Sequence, residues 1–134
     1  MILVDTSVWI SLLRNADRPA VHHLKRILDS ETTVALTPLI LQEILQGASS
    51  DAHFATLQRY FADLPLLASS DLAATHIAAA RLYCRCRWAG VTPRSANDCL
   101  IARQAIEHGA ALLHDDRDFE AIARVEPQLQ LFTG

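Results

Sequence analysis

Carboxylates are the side chains in this sequence whose type and spacing could support a chemical reaction. Six of them are candidates: Asp5, Asp115, Asp116 and Asp118 after predicted strands, Glu43 in the helix after the second strand, and Asp98 in the first turn of the helix before the third. Asp5 directly follows the apolar run 2–4, and the other three acids after a strand follow the run 110–113. If these runs form neighbouring parallel strands, their acids meet at one edge of the sheet, where such sheets collect ligands.

A cluster of this kind calls for a cation. Carboxylates within about 4–6 Å of one another repel, which raises their pKa values and costs stability. The sequence has no His or Cys cluster with zinc spacing, and an all-oxygen ligand set favours Mg²⁺ or Mn²⁺. Such an ion lowers the pKa of a bound water and neutralises charge on a phosphoryl group in line for attack.

Each acid also has a purely structural interpretation. The acids after the first and third apolar runs could cap the helices that follow, because negative charge favours a helix N-terminus. Asp98 stands three residues after Ser95, which is close to a capping box. Glu43 shares a helix side with Gln42 and Gln46, which is typical of a solvated face. The spacing leaves open whether the acids meet.

Short apolar runs alternate with longer helical patterns and would position these acids. Strands are predicted at 2–4, 33–36, 110–113 and 128–132, with a short fifth one at 65–67. Helices are predicted at 6–15, 19–29, 38–46, 51–63, 71–88, 96–108 and 119–124, with Ser70 and Ser95 as N-caps. The alternation predicts one α/β domain over 1–134, with a mainly parallel sheet of four to five strands flanked by helices.

The composition is that of a folded globular chain. Hydrophobic residues make up 51% and charged residues 20% of the 134 residues, which excludes intrinsic disorder. Twelve basic and fifteen acidic side chains leave a net charge of −3, so no global positive field attracts nucleic acid. The odd number of cysteines, three, indicates reduced thiols. With no apolar run long enough for a signal peptide or a membrane span, we expect a soluble, cytoplasmic protein without a membrane partner.

Four segments, spread over nearly the whole chain, carry a recognisable pattern. They are VDTSVW at 4–9, the stretch 37–47 around Glu43, RSANDCLIA at 94–102 and LLHDDRDF at 112–119. In this order they resemble the PIN-domain family, specifically the VapC-type toxin ribonucleases of bacterial toxin–antitoxin pairs. The first and third segments are quite specific, whereas the second is weak on its own.

The resemblance implies a catalytic site of four acids, which are Asp5, Glu43, Asp98 and Asp116. Of these, Asp5, Asp98 and Asp116 would hold Mg²⁺, with Mn²⁺ as the other possible ion, and Glu43 and Asp118 would be accessory. Asp116 is favoured over its neighbour because the stretch from 116 to 119 keeps the family spacing. Whether Asp115 or Asp118 shares the role given to Asp116 stays open.

The resemblance also implies supporting residues around the acids. They are Thr6, Ser7, Arg94, Ser95 and His114. The hydroxyl pair after the first acid would orient water or the backbone of the site. His114 stands where relatives commonly have threonine, and it could hydrogen-bond a carboxylate or a phosphate.

The implied activity is that of an endoribonuclease toxin in which metal-activated water hydrolyses RNA phosphodiesters and leaves a 5′-phosphate. Its implied partners are RNA, a cognate antitoxin protein that plugs the acidic cleft, and a second copy in a homodimer. The alternative is a catalytically inactive PIN-like module that binds RNA or protein. A phosphate-accepting receiver domain is disfavoured because the only lysine, Lys25, lies in an early helix.

A basic stretch of the long predicted helix allows a further interpretation. Arg81 and Arg85 share a helix face, with Arg87 and Trp88 close by in sequence. A solvated face or a dimer rim is favoured, and a patch that guides RNA with a stacking indole is the alternative.

Overall fold

The computed structural model describes residues 1–134, and a three-stranded parallel sheet in the order β2-β1-β3 lies at its centre. The strands are β1 (Ile2–Val4), β2 (Val34–Ala35) and β3 (Ala111–Leu113). Leu3, in the middle of β1, pairs with Ala35 on one side and with Leu112 on the other. These short runs are apolar throughout because helices cover both faces of a parallel sheet.

The sheet is narrower than the four to five strands that the sequence predicts. The segments predicted as strands at 65–67 and 128–132 add one bridge each, Leu66 beside Leu36 and Leu131 beside Leu112. Pairing cannot extend beyond Leu36 because the next residue, Thr37, is already the N-cap of a helix. The two outer segments therefore close the edges of the sheet without forming full strands.

Seven helices flank the sheet, and all of them were predicted within a few residues of their observed ends. They are α1 (Thr6–Leu13), α2 (Pro19–Leu28), α3 (Pro38–Leu45), α4 (Asp51–Phe61), α5 (Leu72–Trp88), α6 (Ala96–Glu107) and α7 (Arg117–Val125). None of the helices is both long and apolar enough to cross a membrane.

Two of the helix starts test the predicted caps. Ser95 caps α6 as predicted, since its hydroxyl accepts the amide of Asn97 at 3.2 Å. The predicted cap Ser70 of α5 is wrong, because Asp71 accepts the amide of Ala74 at 3.0 Å. Asp71 stands three residues before that amide, which is the spacing that an N-cap side chain can reach.

One hydrophobic core joins all of these elements. It contains 28 buried residues, and every helix and strand contributes to it. Within it Trp9 of α1 packs edge-on against Phe61 of α4, with ring centroids 5.0 Å apart. The three cysteines are free thiols, as predicted. The ends of β1 and β3, and the helices that start there, are therefore held by packing on several sides.

We expect Leu112→Ala to lower the free energy of unfolding by about 2–5 kcal/mol, because Leu112 is fully buried in the middle of β3 and truncation leaves a cavity. Leu72→Ala is the matched control, since Leu72 is 67% exposed at the start of α5 and should change stability by less than about 0.5 kcal/mol. Urea unfolding followed by circular dichroism measures both. Similar losses in the two variants would contradict this view of the core.

Candidate active site

Three of the predicted acids lie at the beginnings of helices on the carboxyl side of the sheet. Asp5 follows β1 and caps α1, and Asp116 lies beyond β3 and caps α7. Asp98 lies in the first turn of α6. The capping interpretation of Asp5 and Asp116 is therefore confirmed, and it coexists with a clustered site. The positive ends of three helix dipoles face this region and offset part of its negative charge.

The structure brings the acids of the three separate helices together. The carboxylates of Asp98, Asp116 and Asp118 offer oxygen atoms that all lie within 4.8 Å of one another. Asp5, which is only 6% exposed, and Glu43 are near enough to act electrostatically on Asp98. All four acids predicted to be catalytic thus face one site, and Asp118 is a close member of it. Their individual roles stay a prediction.

Asp98 bears the largest electrostatic cost of this arrangement. Burial, followed by the negative charges of the other four acids, raises the pKa of Asp98 from 3.8 to about 7. No protein group donates a hydrogen bond to this carboxylate. Burial also raises the pKa of Asp5 and of Glu43, against hydrogen bonds that lower them. A cation at this place would favour the ionised forms.

The hydroxyl residues after Asp5 hold two of the carboxylates directly. Ser7 donates its amide at 3.1 Å and its hydroxyl at 2.6 Å to Oδ2 of Asp5. Thr6 donates its hydroxyl to Oε1 of Glu43 at 2.9 Å, which joins α1 to α3. Glu43 is consequently half-buried, and its interpretation as part of a solvated helix face is wrong. Both hydroxyls orient carboxylates, and the Ser7 hydroxyl also accepts the backbone amide of Asp115 at 3.3 Å, so it orients the backbone of the site as well.

Arg94 orders the other two carboxylates. Its Nη2 donates to Oδ1 of Asp116 at 2.7 Å, and its Nε and backbone amide donate to Oδ2 of Asp118 at 3.2 and 3.0 Å. The amide of Asp118 adds a hydrogen bond to Oδ1 of Asp116 at 3.0 Å. All of these hydrogen bonds fall on one oxygen of each carboxylate. Oδ2 of Asp116 and Oδ1 of Asp118 accept none and are available to a cation.

Asp115 is placed differently from its neighbours. Arg18 holds both of its oxygens, with Nε donating to Oδ2 at 2.8 Å and Nη2 donating to Oδ1 at 2.9 Å. This pairing lowers the pKa of Asp115. For the role that the sequence left open between Asp115 and Asp118, the geometry favours Asp118, because it lies in the cluster with a free oxygen.

Sequence reasoning missed Arg18 as a residue of the site. It lies 97 residues from Asp115, in the loop between α1 and α2, and no motif surrounds it. The pair forms only because the segment between β3 and α7 folds against that loop. The absence of any local signal explains the omission.

The remaining predicted residues shape the backbone of the site. The Ser95 hydroxyl accepts a backbone amide at the start of α6. His114 accepts the amide of Asp116 through Nδ1 at 3.1 Å, and its ring lies 5.4 Å from the ring of Phe119. His114 therefore supports the loop that presents Asp116 and hydrogen-bonds no carboxylate.

The arginines of α5 do not form a free basic patch. Arg85 donates to the carbonyl of Val125 at 2.9 Å and lies 3.5 Å from Glu126, so it fastens α5 to the end of α7. The guanidinium carbon of Arg87 lies 6.0 Å from the ring centroid of Tyr83, while Trp88 is 73% exposed. Arg81 is exposed, which agrees with the solvated-face interpretation.

The donor set fits a hard divalent cation. It consists of carboxylate oxygens, which are the ligands that Mg²⁺ and Mn²⁺ prefer. The thiol of Cys99, next to Asp98 in sequence, is buried, and burial foremost raises its pKa to about 12. It is not among the side chains that come together in the cluster, so the ligand atoms there are carboxylate oxygens. The chemistry that fits the site is the activation of water and the neutralisation of a phosphoryl group.

Known proteins share both this sequence pattern and this fold. Residues 2–125 match the family model of the PIN domain. VapC ribonuclease Mb1587 from Mycobacterium bovis and ribonuclease VapC11 from Mycobacterium tuberculosis are each 44% identical to this chain over 126 residues, 93% of both sequences. The chain therefore belongs to the PIN-domain family, as the four sequence segments indicated. The particular members that it matches at this identity are VapC ribonucleases.

Solved structures of distant relatives have the same architecture. VapBC2 from Rickettsia felis, bound to a DNA fragment from its promoter, superposes with a TM-score of 0.72 at 21% identity and 98% coverage of both chains. VapBC-1 from nontypeable Haemophilus influenzae has a TM-score of 0.74 at 20% identity, covering 98% of this chain and 97% of its own. At these identities the likeness concerns the fold.

The raised pKa of Asp98 predicts a pH dependence of stability in the absence of divalent ions. Between its ordinary value of 3.8 and about 7, Asp98 keeps a proton in the folded protein that it loses in the unfolded chain. The folded state binds more protons in this window, so the free energy of unfolding falls as the pH rises through it. In Asp98→Asn this fall should be smaller. Urea unfolding at pH 5 and pH 7.5 with EDTA measures the difference.

The same comparison contains its own control. The other titratable groups are the same in wild type and variant, so the comparison isolates the effect of the Asp98 carboxyl. Equal changes of unfolding free energy in the two proteins would show that Asp98 is ionised well below neutral pH, against the clustering described above.

Proposed function

We propose that this chain is a divalent-metal-dependent endoribonuclease and the toxin of a toxin–antitoxin pair. One observation carries the proposal. Acids at the starts of α1, α6 and α7, together with Glu43 of α3, share a site in which carboxylate oxygens stay free of hydrogen bonds. Identity of 44% to VapC ribonucleases supports RNA as the substrate. Similarity to VapBC structures supports an antitoxin protein as the partner.

The residues of the chain would share the work in the following way. Asp5, Asp98 and Asp116 would hold Mg²⁺, or Mn²⁺ as the second choice, and Asp118, whose Oδ1 accepts no hydrogen bond, would be an accessory carboxylate. When bound, the ion supplies an activated water and neutralises the phosphodiester under attack. Glu43, fixed through Oε1 by Thr6, has Oε2 free to accept a proton or hold a water.

Other parts of the proposal follow the sequence predictions. We propose a single domain over residues 1–134, a homodimer, and action in the cytoplasm. The one core to which every element contributes supports the single domain. A catalytically inactive module that binds RNA or protein remains the competing function, and the cleavage experiment separates the two.

Purified protein should cleave single-stranded RNA in Mg²⁺ and lose this activity in EDTA. Asp98→Asn should lower the rate constant of cleavage by at least about 100-fold, because it removes a carboxylate that would hold the cation. Asp115→Asn is the matched control, since it makes the same change in charge at a carboxylate whose two oxygens are held by Arg18 outside the cluster, and its rate should stay within about threefold. End-labelling of the products shows whether cleavage leaves a 5′-phosphate, as the proposed reaction requires.

Cleavage that persists in EDTA and in Asp98→Asn would overturn the metal-dependent mechanism. RNA that is retained by the protein without cleavage in any divalent ion would instead favour the inactive module. A rate that falls as far in Asp115→Asn as in Asp98→Asn would mean that Asp115 belongs to the catalytic set.

A further inference from the structure

Arg94 is the only cation that hydrogen-bonds the carboxylate cluster. Its guanidinium spans Asp116 at 2.7 Å and Asp118 at 3.2 Å, in the position of a bridge between two acids. The side chain is 77% exposed, and these two carboxylates are its sole partners. An ion pair this exposed contributes little to stability, so the guanidinium can leave at small cost.

The charge balance of the cluster explains why the guanidinium lies there. The five acids are Asp5, Glu43, Asp98, Asp116 and Asp118, and the last three bring carboxylate oxygens within 4.8 Å of one another, where their charges repel. A single positive charge offsets part of this repulsion. The backbone amide of Arg94 foremost, and its guanidinium after it, lower the pKa of Asp118.

We infer that Arg94 is a displaceable internal counter-ion, which ties Asp116 to Asp118 in the absence of a divalent cation and competes with that cation for the site. The inference rests on the proposed metal site. A guanidinium within hydrogen-bond distance of two ligand carboxylates repels a divalent cation at close range and withdraws electron density from the carboxylates that would bind it.

The opposite role would be that of a rigid brace. A brace would hold Asp116 and Asp118 in the geometry that a cation needs, and its removal would weaken cation binding. The exposure of Arg94 and its lack of any other partner argue against a brace, because a residue that fixes ligands is itself fixed by packing or by further hydrogen bonds. The two roles therefore predict changes of opposite sign in cation affinity.

Release of Arg94 would also change the neighbouring cleft. This cleft of about 360 Å³ has no hydrophobic lining residue, and Arg18, Arg94 and Arg117 line it. Three acids balance the three arginines, so the cleft carries no net charge while Arg94 is paired with Asp116. Freed from that pair, Arg94 would give the cleft an unpaired guanidinium, which suits a phosphate of the RNA strand beside the cleaved bond.

Binding of Mn²⁺ to metal-free protein tests the inference without any reading of activity. Isothermal titration calorimetry should give an affinity about three- to tenfold higher for Arg94→Gln than for wild type, because a positive charge close to the ion is removed. Arg94→Lys should lie between them, since it keeps the charge but loses the planar fork. Arg18→Gln is the matched control: it removes an arginine of the same cleft that pairs outside the cluster, and should change the affinity by less than about twofold.

Each outcome decides between the possibilities. An affinity of Arg94→Gln equal to or lower than that of wild type overturns the inference and leaves the metal site intact. A gain as large in Arg18→Gln as in Arg94→Gln also overturns it, because the effect would then be one of general charge. Absence of Mn²⁺ binding by wild type and variants overturns the proposed metal site itself. If Arg94→Gln does not fold, the affinity of Arg94→Lys relative to wild type decides in the same way.

Discussion

Repulsion among carboxylates at the carboxyl end of a three-stranded sheet is the constraint on which the rest of this structure depends. Asp98, Asp116 and Asp118 bring their oxygens within 4.8 Å of one another, and Asp5 and Glu43 add charge from β1 and α3. The fold offsets this cost with helix N-termini, hydroxyl donors and one guanidinium. The cost is visible at Asp98, whose carboxylate receives no hydrogen bond and whose pKa is raised to about 7 by burial first and by the neighbouring charges second. A divalent cation is the group that would remove it.

The structural and the chemical interpretations of the acids are compatible because each uses a different oxygen. Asp116 caps α7 and binds Arg94 through Oδ1 alone, which leaves Oδ2 without a protein donor. Asp118 receives its donors on Oδ2 alone. The same side chain can therefore begin a helix and face a ligand. Asp115 differs from these two acids, because Arg18 donates to both of its oxygens and Asp115 serves to bind that arginine.

Much of the fold and of the site could be predicted from local pattern. The continuous apolar runs at 2–4 and 110–113 form the central strands, and Ser95 caps α6 as its position indicated. The outer strands could not be predicted in length, because the pairing of Leu66 stops where Thr37 starts the next helix. The face of Glu43 was misjudged because its partner, Thr6, lies 37 residues away on α1.

The sequence by itself determined which residues carry negative charge, which runs are buried strands, and which family pattern joins them. Those properties follow from residue type and from spacing within a few turns of chain. The tertiary structure alone decided which carboxylates keep a free oxygen, and that depended on Arg94 and Arg18, whose partners lie 22 and 97 residues away. A hydrogen bond selects one oxygen of a carboxylate by direction and distance, and neither is encoded by local spacing.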